Sequence, residues 1–312
     1  MTIAYQYAHF DISYAARTNY ITPTEYANAS QALDINNLIG GGSAQANATA
    51  LLEAIGRASS WIDEWTMGAW GTLASTAQVE NARIWGSYRG NVLSVKTKYW
   101  PITEVRSFQY TSIPGGLSSG GNAASITPAG NVTIYPQSFD VTSTGGTVAW
   151  TGINGSTGIV KGIEYDCEWV YVAGWPNTTL AASVAFGATS FQPLVTTGIY
   201  PNSMLTLYDL PNDEQFVVSS TYTPGASVVP ITTQFQYNHA VTSTVTNLPP
   251  SIKQAAVWAT NAFIKQRGSG ALEVTDMGAA VHQASGAPQN SGSDMHQAEM
   301  LLKAFRQQYV GY

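Results

Sequence analysis

The sequence predicts an α+β fold: a helical frame of N-terminal helices and two C-terminal helices, interrupted by β-rich regions that include a small β-sandwich or barrel insertion. Three observations carry this expectation. Pro249 to Arg267 starts on two prolines, ends before Gly268, and repeats Ile252, Ala256, Ala259 and Phe263 along one helical face. Leu51, Ile55, Ala58, Ile62 and Trp65 also recur at three and four residues. Between these two helices the apolar period changes to two, most clearly in Ile163 to Val172.

Met1 to Tyr20 lacks a clear period and reads as an extended arm or strand. Thr22, Pro23 and Glu25 then supply an N-cap, a first-turn proline and a capping-box acid, predicting a short helix to about Leu33. Gly40-Gly41-Gly42-Ser43 breaks the chain before the second helix, where Glu53 and Arg57 stand four apart opposite the apolar stripe. From Val79 the pattern is β. Leu93, Val95, Thr97 and Tyr99 alternate with polar residues, and Trp100-Pro101 turns the chain into a strand over Ile102 to Tyr110. Thr111 to Gly130 is too rich in Gly, Ser and Pro for a core element and reads as a mobile hairpin loop.

Short β-runs follow at Val132–Tyr135, Phe139–Thr142 and Thr147–Thr151. In the next strand Ile163, Tyr165, Cys167, Trp169 and Tyr171 share one face, while Glu164, Asp166 and Glu168 share the other, which is either wet or meets a partner. Asn177 to Asn247 has short strands around Phe191, Met204–Tyr208, Phe216–Thr221, Val228–Ile231 and Val241–Thr246, spaced as in a small sandwich or barrel. Gly268 to Gly292 is rich in Gly, Ala and Ser, a flexible tether to a last helix capped at Ser293-Asp294. There Ala298, Leu301, Leu302, Phe305 and Tyr309 form an apolar stripe that either reaches another subunit or docks on its own core. The expected division is therefore 1–176, an inserted β-domain at 177–248, and 249–312 completing the body.

With 312 residues, the prior is about two domains. A single cysteine, no long apolar run and no basic leader with an apolar core predict an intracellular chain without disulfides, membrane span or secretion signal. Charged residues make up only 10% of the chain, against about 25% in an average soluble domain. Together with nine Trp and 17 Tyr, this predicts a surface largely covered by copies of itself or by partners; a neutral extracellular-style β-protein is the competing explanation. The net charge of −6 opposes tight nucleic-acid binding. Arg83, Arg89, Lys96, Lys98 and Arg106 cluster with only Glu104 against them, whereas Gly162 to Pro250 contains acids and no base. Such opposed regions favour head-to-tail contacts between subunits, or are simply solvated.

No Gly-rich phosphate loop, GxSxG, HExxH or paired-cysteine metal motif is present, so no catalytic residue, cofactor or metal is expected. His9 and Asp11 lack a third partner, Cys167 sits on an apolar strand face, and the acids of its strand have no opposing carboxylate for glycoside chemistry. The sequons at Asn47, Asn131, Asn154 and Asn177 carry little weight without a secretion signal.

The ordered set YITPTEYANASQAL, ALLEAIGRASSWIDEW, VLSVKTKYWPITEVRSFQY and LPPSIKQAAVWATNAFIKQRGSGAL resembles the head-to-tail adaptors, or head-tail connectors, of tailed bacteriophages. The insertion, with GIYPNSMLTLYD, NDEQFVVSS and FQYNHAV, is similar to small β-modules of phage structural proteins. The resemblance implies a non-enzymatic virion protein at the neck, assembled in the host cytoplasm. It implies a ring, usually a dodecamer, beneath the portal protein, with a neck, stopper or tail-terminator protein on the tail side and double-stranded DNA passing through unbound. On that expectation Leu301, Leu302, Phe305 and Tyr309 bind the portal, and Glu164, Asp166 and Glu168 line the channel and repel phosphate. Two rival readings are a tail-associated hydrolase, which needs a convergent acid pair, and a carbohydrate-binding module, which needs an exposed aromatic platform on the insertion.

Overall fold

Helices begin where the sequence places their caps. In the computed structural model, which describes residues 19–35, 38, 42–68, 71–86, 92–112, 124–126, 130–142, 164–267 and 294–306, Thr22 accepts the Glu25 amide at 3.2 Å. Glu25 in turn takes the Thr22 amide at 2.6 Å, and this closed capping box starts α1 (Pro23–Asn28). α1 stops short of the expected Leu33. The chain instead wraps the buried Tyr26 ring, whose hydroxyl accepts the Leu33 amide at 3.1 Å and donates to Asn261 at 2.6 Å.

α2 (Ala44–Met67) is capped by Ser43, whose hydroxyl accepts the Ala46 amide, and ends at Gly68 with φ of 77°. Its apolar stripe buries Leu51, Ile55, Ala58 and Ile62 completely or nearly so, each large side chain contributing about 1.5–3 kcal/mol of transfer energy. α3 (Pro250–Arg267) is buried on most of its circumference, and α4 (Asp294–Leu302) continues into a 3-10 turn, Lys303–Phe305.

The first β-region forms two antiparallel sheets. One has the order β1 (Thr76–Trp85), β7 (Glu164–Ala173), β3 (Ile102–Ser112), β4 (Ala124–Ile126); the other has β2 (Val92–Lys96), β6 (Ser138–Thr142), β5 (Val132–Tyr135). β4 lies inside the segment expected to be a loop: pairing with β3 from Phe108 to Tyr110 makes it a strand despite its composition. The β-run at Thr147–Thr151 and the tether 268–292 lie outside the described residues. Leu93 and Val95 of β2, Phe139 of β6 and Tyr165, Cys167, Trp169 and Tyr171 of β7 turn into one core with α2, α3 and α4. Trp169 stacks on Phe108 at 6.4 Å, and Phe139 meets both rings edge-on.

A second, separate core is drawn entirely from Leu180 to Val245. Its sheets are β11 (Glu214–Val217), β10 (Met204–Tyr208), β13 (Thr244–Thr246), β8 (Asn177–Thr179) in that order, and β12 (Val229–Pro230) with β9 (Ser190–Phe191). No closed barrel forms among the described residues. Phe191, Phe216 and Phe235 pack as a triad with centroids 5.1 to 6.4 Å apart. β8 was not predicted, because Asn-Thr-Thr has no apolar alternation; pairing with β13 makes it a strand.

Backbone approaches backbone closely where the segment after α2 crosses the end of β7. Trp175 donates to the Leu73 carbonyl, Ser75 donates to the Trp175 carbonyl, and Gly174 donates to the Pro101 carbonyl, all at 2.8–2.9 Å. Gly174 has φ of 101°, and a Cβ there would lie 2.6 Å from the Leu73 carbonyl oxygen and 2.7 Å from that of Ala74. Both obstacles are backbone. Gly174→Ala is expected to destabilise the fold by about 2 kcal/mol or more, read as a lowered urea midpoint.

Candidate functional site

The acidic stripe is held on the central strand of the larger sheet. β7 pairs with β1 on one side and β3 on the other, and its inward residues Tyr165, Cys167, Trp169 and Tyr171 fix Glu164, Asp166 and Glu168 on the outer face. In the cross-strand register Trp85 lies opposite Glu164, Arg83 opposite Asp166, and both Asn81 and Gln109 opposite Glu168. Arg83 Nε reaches Asp166 Oδ1 at 3.1 Å in an exposed pair, worth about 1 kcal/mol or less. The expected separation of charge is thus partly cancelled within the chain. Arg106 repeats this with Glu104 at 2.9 Å, and Tyr200 donates to the same carboxylate, tying the second core to β3. No group of three His, Cys, Asp or Glu among the described residues is arranged to hold a metal ion.

The C-terminal stripe is divided between two surroundings. Leu302 is fully buried in the main core beside Ala298, and Phe305 meets Trp175 edge-on at 5.7 Å. Asp294, at the start of α4, pairs with Lys265 of α3 at 2.7 Å, and Arg306 lies over the Trp65 ring. Leu301 is half-buried, Met300 is exposed, and Tyr309 lies outside the described residues. Of the two openings left by the sequence, Leu301, Leu302 and Phe305 take the docking on the chain's own body.

Other sequence candidates are quickly placed. His9 and Asp11 lie outside the described residues. Burial, with Asp166 adding to it, pushes the Cys167 thiol up to about 12, so little reactive thiolate exists at neutral pH. Trp169 is buried and Trp175 is half-buried between Trp100 and Phe305, so neither offers an open platform. The exposed aromatic side chains around the second core are Phe186 and Tyr237, each two residues from the Val184–His239 bridge. No helix among the described residues is long and apolar enough to cross a membrane. No family model matches the chain, and no curated protein matches it either.

Sequence reasoning missed a buried polar junction. Lys253 on α3 puts its ammonium 2.5 Å from Glu25 Oε1 and 4.1 Å from the centroid of the Tyr208 ring on β10. Glu25 also bonds the Thr22 amide and lies 3.5 Å from the Thr244 hydroxyl. One carboxylate therefore joins α1, α3 and the second core. Burial pulls the Lys253 ammonium below the usual lysine range, while Glu25 and Asp213 oppose the shift. A signal was present: Lys253 falls on the same helical side as Ala256, Val257 and Thr260, all buried. Glu25→Gln is expected to cost about 3 kcal/mol in urea unfolding by leaving a buried ammonium without its counter-charge. Adding Lys253→Met in the same chain should recover a large part of that loss, a sign of coupling that independent sites do not show.

Proposed function

We propose that this chain is a structural virion protein, a head-to-tail adaptor that assembles as a ring, dodecameric in the family it resembles, beneath a portal protein. The ring continues the DNA channel and links the capsid to a neck, stopper or tail-terminator protein. The observation that supports this most is the apolar surface of the single chain. Leu194 is 69% exposed, Trp85 and Phe186 62% each, and Met204 and Met300 more than half, on a chain with only 10% charged residues. Single exposed apolar side chains are ordinary, but so many beside so few charges favour a surface that partners cover, and copies of the same chain cover it in a closed ring without leaving ends.

In this reading α1 to α4 form the frame and residues 177–248 the inserted β-domain. The outer face of β7 lines the channel, where Glu164 and Glu168, with Asp166 partly offset by Arg83, discourage phosphate contact. The portal contact falls to the exposed Met300, because Leu301, Leu302 and Phe305 all pack against the chain's own core.

Particle images of the purified chain should show closed rings, and light scattering should give a multiple of the subunit mass. A monodisperse monomer at high concentration overturns the proposal. Met300→Lys should leave the fold and the ring intact while weakening capture by the portal protein of the same virion roughly tenfold, the equivalent of about 1.4 kcal/mol. Unchanged capture moves the portal contact off this helix.

A further inference from the structure

Residues 177–248 contain Asp209, Asp213 and Glu214 but no Lys or Arg, which leaves His239 as the one side chain there that is able to carry positive charge near neutrality. Its side chain is 0% exposed. Nδ1 lies 3.2 Å from Asp209 Oδ2 and Nε2 lies 3.1 Å from Glu214 Oε1, so both ring nitrogens face carboxylate oxygens. A carboxylate is an acceptor only, and a neutral imidazole has one N–H and one lone pair. Both contacts are attractive together only when both nitrogens carry hydrogen.

The same two carboxylates hold the turn on which the histidine sits. Glu214 accepts the amides of Gln236 and Tyr237 at 2.7 to 2.9 Å, and Asp209 accepts that of Ala240 at 3.1 Å. The Asp209 amide in turn donates to Asp213 at 2.8 Å. On the other side of the ring, Phe235 packs edge-on at 5.5 Å and Val184 exchanges both backbone bonds with His239, and neither residue titrates. Lys253 and Tyr208 each feel the charge of Asp213.

We propose that His239 is a proton-gated clasp: as an imidazolium it joins the ends of β10 and β11 to the 235–241 turn, and loss of one proton sets a lone pair against a half-buried carboxylate and releases that turn. The release uncovers the edge of the phenylalanine triad and frees Phe186 and Tyr237, exposed side chains each two residues from the Val184–His239 bridge. The direction follows from proton counting. The closed turn holds one more proton than the open turn, so closure weakens as pH rises. The inference does not depend on the adaptor reading.

The test uses the intact wild-type chain. Nitrogen-15 spectra of the His239 ring at neutral pH should show two protonated nitrogens. As the pH is raised, exchange of the Val184 and His239 amides, taken relative to buried amides of α2 in the same sample, should accelerate by up to about tenfold per pH unit while the closed turn keeps a proton that the open turn has lost. His239→Gln, which supplies a single donor group, should abolish that extra acceleration. A ring with one protonated nitrogen, or amides at Val184 and His239 that follow those of α2 throughout, overturns the proposal. Because both readouts are taken on wild type, a variant that fails to fold does not affect the outcome.

Discussion

The desolvated ammonium of Lys253 constrains everything around it. α3 is buried on most sides, and a charge on such a helix costs several kcal/mol unless a counter-charge and further contacts meet it. Glu25 supplies the counter-charge and Tyr208 the face of an aromatic ring. Because Glu25 is also the capping-box acid of α1, and Tyr208 ends a strand of the second core, the charge on α3 fixes the positions of two other parts of the chain. An apolar residue at 253 would pack without imposing that register. The pair therefore contributes specificity more than net stability.

The same device recurs through the molecule. Asp63, buried near the end of α2, accepts the Leu73 amide and the Tyr20 hydroxyl. Glu80 on β1 accepts the Lys98 amide and the Tyr171 hydroxyl, and burial raises its carboxyl above the usual glutamate range. Glu214 and Asp209 do the same for the turn around His239. In each case a carboxylate satisfies backbone N–H groups of an irregular segment that has no helix or ladder partner. A chain with few charges uses several of its acids as anchors for turns.

That arrangement bears on how the chain meets its surroundings. Leu302, Phe305 and Asp294 hold α4 against α3 and Trp175, so the helix carries an inner face already engaged and an outer face bearing Met300. The outer face of β7 is rigid for a similar reason, being the reverse side of a strand whose other side is aromatic core.

The sequence by itself determined the α+β class, the capped start of α1, the apolar stripe of α2, the buried helix ending at Arg267 and the two-faced strand at β7. These depend on local caps and on periods of two or 3.6 residues, which are written in neighbouring positions. It did not show β4 or β8, whose short polar strands exist only through pairing, nor the early end of α1, which Tyr26 imposes through Asn261 more than two hundred residues away. Tertiary structure alone decided that Arg83 faces Asp166, that Lys253 meets Glu25 and that His239 stands between Asp209 and Glu214. Such contacts join residues far apart in the chain, and the energy of a charge is set by how much water the fold removes from around it.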